Sequence, residues 1–160
     1  CLGVKSAGMI FLGEGLLPAT AQSVIRILDF YGIDVLSKKV LVIGRSQSVG
    51  LPIALGLLKK NAEVTIVHSK ISKEEIERKV ADSDIIVLAS GKKGLVNKDV
   101  FKKGQIVIDC GYHAEDNSGD LGFVPEDDFF ESYTPVPGGV GPLTISTLIV
   151  NGLKKKGLIK

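Results

Sequence analysis

Four short runs dominated by aliphatic residues, Val40–Ile43, Val64–Val67, Ile85–Leu88 and Ile106–Asp109, recur along the chain with helix-length segments between them. A strand that is apolar on one side only can face water; a strand apolar at nearly every position must be covered on both faces. Short strands of this kind alternating with helices predict a doubly wound α/β fold, a parallel sheet between two helical layers. The chain has 160 residues, 44% of them hydrophobic, which is enough for one such domain with a full core.

The segments between the runs carry their own signals. Thr20 is a candidate N-cap for a helix through about Tyr31, with Val24, Ile27, Leu28 and Tyr31 on one face and Gly32 as its stop. A second helix is expected from Val49 to Lys60, ended by Asn61, and a third is opened by the capping box Ser72-Lys73-Glu74-Glu75. The polar stretch 113-HAEDNSGDLG-122 predicts a turn or hairpin excursion, followed by a short strand near Tyr133 and a last helix from Leu143 to about Lys156. No run approaches the roughly 18 apolar residues of a membrane span, so no membrane partner is expected. A net charge of +2 offers no nucleic-acid surface. Two cysteines, Cys1 and Cys110, give neither a disulfide framework nor metal-ligand spacing, as suits a reducing cytosol. Residues 1–17 start without methionine and are broken by glycines; they are expected to be the remnant of a connection to a preceding domain, with the folded domain at 18–160.

The chemistry concentrates at the ends of the strands, where a doubly wound sheet places its ligand. In 40-VLVIGRSQSVGLP-52, Gly44 ends the first strand and Gly50 lets a helix start close to the sheet or to a phosphate. The backbone N–H groups from Ser46 through Val49 to Gly50 are expected to point outward at the helix's positive end, as an anion site. Two glycines alone fit a plain strand–turn–helix unit equally well. The second strand separates the readings. A domain that uses NAD carries an acid at that strand's end to hold the ribose 2′-OH, whereas 63-EVTIV-67 runs into 68-HSK-70 with no acid. Arg45 supplies a fork of donors, Ser69 a hydroxyl, and His68 and Lys70 positive potential, which together suit the 2′-phosphate of NADP. Three further strand ends meet the same crevice. They are 89-ASGKKG-94 with Ser90 and Gly91, 109-DCGY-112 with Tyr112, and 134-TPVPGGVGP-142 with Pro137, Gly138 and Gly139. In the last, prolines hold the backbone extended and the glycines clear it of side chains, as a ligand wall needs. Lys92 and Lys93 are read as solvated loop lysines.

From about Gly13 onward, the motifs 18-PAT-20, 44-GRSQSVGLP-52, 67-VHSK-70, 107-VIDCG-111 and 134-TPVPGGVGPLT-144 stand in the order and spacing of one family. The chain resembles the C-terminal, cofactor-binding part of the bifunctional methylenetetrahydrofolate dehydrogenase/methenyltetrahydrofolate cyclohydrolases. The resemblance implies a Rossmann-like NADP-binding domain in which Gly44, Arg45, Ser46, Ser69 and Tyr112 contact NADP; Val49, Gly50, Ser90 and Gly91 are further cofactor-side candidates from the loop and strand ends. It places Pro137, Gly138 and Gly139 against nicotinamide and folate. It further implies oxidation of 5,10-methylenetetrahydrofolate, hydrolysis of the methenyl product, a cytoplasmic homodimer, and a role in one-carbon supply to purine biosynthesis. The family's catalytic lysine, its tyrosine partner and most folate contacts lie upstream of the region matched here, so no catalytic residue and no metal site is assigned among these 160. Two departures stand out: Pro18-Ala19-Thr20-Ala21 where the family has Pro-Cys-Thr-Pro, and Gly122-Phe123-Val124 where it tends to have Gly-Asp-Val. A stand-alone NADP-binding module and a different NADP oxidoreductase are the competing functions. The start at Cys1 weighs against the first, and 134-TPVPGGVGPLT-144 against the second.

Overall fold

The computed structural model describes residues 17–159. The elements run α1 (Ala19–Phe30), β1 (Lys39–Ile43), α2 (Gly50–Leu58), β2 (Glu63–Val67), α3 (Lys73–Ala81), β3 (Ile85–Leu88), a 3-10 turn (Lys98–Val100), β4 (Ile106–Asp109), β5 (Ser132–Tyr133) and α4 (Val140–Lys155). The strands form one sheet in the order β2-β1-β3-β4-β5, every neighbouring pair parallel. The doubly wound arrangement expected from the aliphatic runs is therefore present. From β1 the chain goes to one side for β2 and to the other for β3, so the switch point lies between β1 and β3.

Alternation along the strands divides the core in two. Val40, Val42, Ile85, Val87, Ile106 and Ile108 pack under Val24 and Leu28 of α1, Ile53 and Leu57 of α2 and Val140 of α4. Leu41, Ile43, Ile86, Leu88 and Val107 face the other way, onto Ile76 and Val80 of α3 and onto Phe101, Leu121 and Phe130. Each of these side chains leaves water on folding, and each contributes about 1.5–3 kcal/mol of transfer free energy. The strands are thus covered on both sides for the reason their composition suggests.

β3 and β4 have the residues the sequence predicts, and β1 and β2 each begin one residue earlier. Two helix starts are corrected. Thr20 is not a cap: α1 begins at Ala19, with Pro18 at the N-cap position and Gln22 donating its N–H to the Pro18 carbonyl at 3.0 Å. Proline has a fixed φ and no N–H to satisfy, so it starts the helix without a capping side chain. The last helix begins at Val140 rather than Leu143, directly after Gly139. Pro142 then lies in the first turn, where its lack of an N–H breaks no intrahelical bond. The expected cap at Ser72 is present, its Oγ accepting the Glu75 N–H at 3.3 Å, and Asn61 closes the turn after α2 at φ +62°. In the 113–122 excursion His113 and Ser118 form an antiparallel bridge. Of the remnant expected at 1–17, all but Leu17 lies outside the described residues. Among those described, no helix is long and apolar enough to cross a membrane.

Candidate cofactor site at the carboxyl ends of the strands

Gly44 leaves β1 at φ +130°, and a Cβ there would overlap the Ala89 carbonyl beyond β3. A Cβ at Gly50 would overlap the Gly44 carbonyl. Both glycines are therefore required by the close passage of chain past chain. Two of the N–H groups expected to face an anion, those of Val49 and Gly50, are taken by Ser46 Oγ at 3.1 and 3.4 Å. Ser46 thus supplies the cap of α2 from four residues upstream, since Val49 at the N-cap position has no polar side chain. The N–H groups of Arg45, Ser46, Gln47 and Ser48 have no protein acceptor among the described residues and lie on an exposed loop. That loop, at the positive end of α2, is where an anion is best held.

The corner between β1 and β2 is set by strand register. Ile43 pairs with Val67, and the Gly44 N–H donates to the Val67 carbonyl at 2.9 Å. Arg45 and Ser69 each follow that pair by two residues, on adjacent strand ends, and both are exposed. Arg45 makes no ion pair and no side-chain hydrogen bond within the described residues. His68 Nδ1 accepts the Lys70 N–H at 3.2 Å, which folds 68-HSK-70 into a tight turn. No carboxylate belongs to this turn. A free guanidinium, a free hydroxyl and a lysine beside it favour a phosphate dianion over a bare ribose hydroxyl.

The ends of β3 and β4 are organised by two buried carboxylates that sequence reasoning missed as site residues. Asp109 accepts N–H bonds from Gly111, Asp120 and Leu121 at 2.8, 3.0 and 2.8 Å. Its own N–H donates to Thr134 Oγ1 at 2.8 Å. Asp120 Oδ2 accepts the Ser90 N–H, the Ser90 hydroxyl and the Gly91 N–H at 2.8, 2.9 and 2.8 Å, while its Oδ1 meets His113 Nε2 at 3.0 Å. Burial pushes the Asp109 carboxyl above its ordinary value, outweighing the backbone donors that favour the charge, and burial with two acids nearby pushes the Cys110 thiol up as well. Ser90 and Gly91, predicted at the cofactor, thus give both N–H groups and the Ser90 hydroxyl to Asp120. Tyr112 is exposed at the base of the excursion and donates its hydroxyl to Asn117 at 2.8 Å. An acid stands three residues before Phe123, in Gly119-Asp120-Leu121. Phe123 instead stacks edge-on against Phe101 at 5.8 Å. A glycine before an acid near a strand end was the available signal. Lys93 is ion-paired with Asp116 at the surface, and Lys92 is exposed.

Pro137, Gly138 and Gly139 follow Thr134. Gly138 sits at φ +110° with open space where a Cβ would point, whereas a Cβ at Gly139 would crowd the Pro135 carbonyl and Thr134. Both glycines line an open, mainly apolar cavity of about 960 Å³, bounded by Ile27 and Phe30 of α1, Ile108 of β4 and Leu143 of α4. None of the residues at the β1–β2 corner lines it. The glycine segment therefore belongs to a different wall from Arg45 and Ser69. No group of three or more His, Cys, Asp or Glu suited to a metal occurs among the described residues.

A family model described as tetrahydrofolate dehydrogenase/cyclohydrolase, NAD(P)-binding domain, matches residues 18–158. The chain is similar to the bifunctional protein FolD of Dictyoglomus thermophilum, 43% identical over 154 residues that cover 94% of this chain and 53% of that protein. The same protein of Bdellovibrio bacteriovorus is 43% identical over 155 residues, again 94% of this chain and 53% of the relative. The chain spans about half the length of the curated relatives it matches. Among solved structures, the N5,N10-methylenetetrahydrofolate dehydrogenase-cyclohydrolase of Trypanosoma brucei, complexed with NADP cofactor and inhibitor, aligns with a TM-score of 0.86 at 36% identity. That alignment covers 100% of this chain and 59% of that one.

Proposed function

We propose that this chain, which belongs to the tetrahydrofolate dehydrogenase/cyclohydrolase family through its NAD(P)-binding domain, is the NADP-binding part of an enzyme that oxidises 5,10-methylenetetrahydrofolate and hydrolyses the methenyl product to 10-formyltetrahydrofolate. The observation that carries the reading is the β1–β2 corner, where among the described residues Arg45 and Ser69 have no side-chain partner at register-matched strand ends and no acid accompanies them. The residues fit the cofactor. The unpartnered N–H groups at 45–48 suit its pyrophosphate, and Arg45 with Ser69 suits the 2′-phosphate. When bound, NADP supplies the acceptor for the hydride leaving the folate's one-carbon bridge. The chain's own part is to bind and orient. Ser90, Gly91 and Tyr112, whose donors are held by Asp120 and Asn117, border the middle of the cofactor by packing, while Pro137, Gly138 and Gly139 leave a side-chain-free wall for the rings. Residues 18–160 form the cofactor domain, and residues 1–17 connect it to the domain that carries the proton-transfer groups. Homodimerisation, a cytoplasmic setting and a place in one-carbon supply to purine synthesis belong to the same reading, supported by family membership.

The test is turnover. A protein of the relatives' length containing this chain is expected to reduce NADP with 5,10-methylenetetrahydrofolate and to release 10-formyltetrahydrofolate, while the 160-residue chain alone does neither. A full-length protein inert in both reactions contradicts the function, and turnover by the isolated chain contradicts the division of labour.

A further inference from the structure

Ser90 and Gly91 leave β3, Tyr112 and His113 leave β4, and Thr134 opens the proline–glycine segment after β5. These three departures are separate in sequence, yet two carboxylates tie them together. Asp120 has only 1% of its side chain exposed, and its two oxygens accept from three donors at Ser90 and Gly91 and meet His113 Nε2. The Asp120 backbone N–H in turn donates to Asp109, whose own N–H reaches Thr134 Oγ1. The packing is reciprocal: a Cβ at Gly111 would overlap the Asp120 carboxylate, and a Cβ at Gly119 would overlap that of Asp109. Each carboxylate thus fills the space left by a glycine on the other's segment.

We infer that Asp120 is a positioning residue for the cofactor, holding the Ser90–Gly91 turn and the Tyr112–His113 segment at one fixed separation so that both meet the same bound nucleotide. This rests on the proposed NADP reading but assigns a role to a residue that touches no ligand itself. The two oxygens divide the task, Oδ2 fixing the β3 side and Oδ1 the β4 side. A neutral amide in place of the carboxylate removes the negative charge that strengthens the bonds from Ser90 and Gly91, and turns the His113 contact round, an NH₂ donating to Nε2 in the other tautomer. Because neither side contacts the 2′-phosphate corner, the loss falls on NADP and NAD alike. This separates Asp120 from Arg45, whose loss is expected to fall on NADP alone.

The test uses the full 160-residue chain, with NADP and NAD titrated by calorimetry, thermal melts in parallel, and amide NMR signals of Ser90, Gly91 and His113 as a local signature. Asp120→Asn is expected to weaken both cofactors by a similar factor, about tenfold for the lost charge-assisted bonds, and to shift all three amide signals. His113→Leu, which removes one arm at a part-exposed site, is expected to weaken both cofactors by a smaller factor and to shift the Ser90 and Gly91 signals through Asp120. Should Asp120→Asn fail to fold, His113→Leu decides by the same readouts. Folded variants that bind both cofactors as the parent does, or that lose NADP selectively, overturn the inference. A parent chain that binds neither cofactor instead overturns the NADP reading, and with it the premise.

Discussion

A carboxylate buried at a strand end is the least visible kind of site residue. In 113-HAEDNSGDLG-122 the acids Glu115, Asp116 and Asp120 look alike as letters, and all three suit a solvated turn. The structure separates them. Asp116 is an exposed partner of Lys93, held at about 2 by that ion pair, while Asp120 is sealed under Gly111. Arg45 could be proposed from the sequence because the second strand ends without an acid, an absence that the letters display directly. Asp120 could not, because its role depends on contacts between segments about thirty residues apart. Asp109 yields a prediction with a definite sign. Its folded pKa is raised above the ordinary 3.8, so between those two values the native state holds a proton that the unfolded chain has lost. In that window Asp109's contribution to stability falls as pH rises. Subtracting urea-melt free energies of Asp109→Asn from those of the parent, at successive pH values upward from 3.8, should give a difference that declines with pH; a rising difference contradicts the raised pKa. The glycine wall gives a second prediction. Gly138→Ala meets open space and is strained only in its backbone, for about 1–3 kcal/mol, while Gly139→Ala, at φ −86°, escapes that strain but must displace the Pro135 carbonyl and Thr134, fixed backbone and side chain that cannot yield cheaply. Thermal melts should place Gly139→Ala below Gly138→Ala, and the reverse order contradicts this account of the segment.

At the level of elements, the strands were legible and two of the helix starts were not. β3 and β4 were found to the residue because a strand buried on both faces is written almost entirely in aliphatic letters, Asp109 at the end of β4 being the exception. α1 and α4 instead start on backbone features, Pro18 and Gly139, and neither has a capping side chain. A nearby threonine or leucine was the wrong signal in both cases. α3 is the contrasting helix, with a cap that obeys its sequence signature. Glu74 and Glu75 in its first turn and Arg78 and Lys79 in its last complement the helix dipole. Ser72→Ala removes the acceptor for the Glu75 N–H and is expected to lower stability by about 1 kcal/mol. Chemical denaturation measures this; an unchanged midpoint would mean that solvent replaces the cap without loss. The short β5 was anticipated only as a location near Tyr133, because two residues carry no periodicity.

For the molecule as a whole, the sheet order dictates where chemistry can occur. Five parallel strands present all their carboxyl ends to one edge, and the reversal between β1 and β3 opens that edge beside Arg45. Three consequences meet there: a helix N-terminus whose loop N–H groups have no partner among the described residues, a guanidinium that likewise has none among them, and a second strand that ends without an acid. The central claim is that these select a phosphate on the ribose. Calorimetric titration of the chain with NADP and with NAD tests it directly, alongside Arg45→Ala. Charge-assisted bonds to a phosphate are worth about 1.5–3 kcal/mol each, so NADP should bind about tenfold or more tighter than NAD. Arg45→Ala should remove most of that preference while leaving NAD nearly unchanged. Equal affinities in the parent chain, or a parallel loss of both cofactors in the variant, would contradict the account.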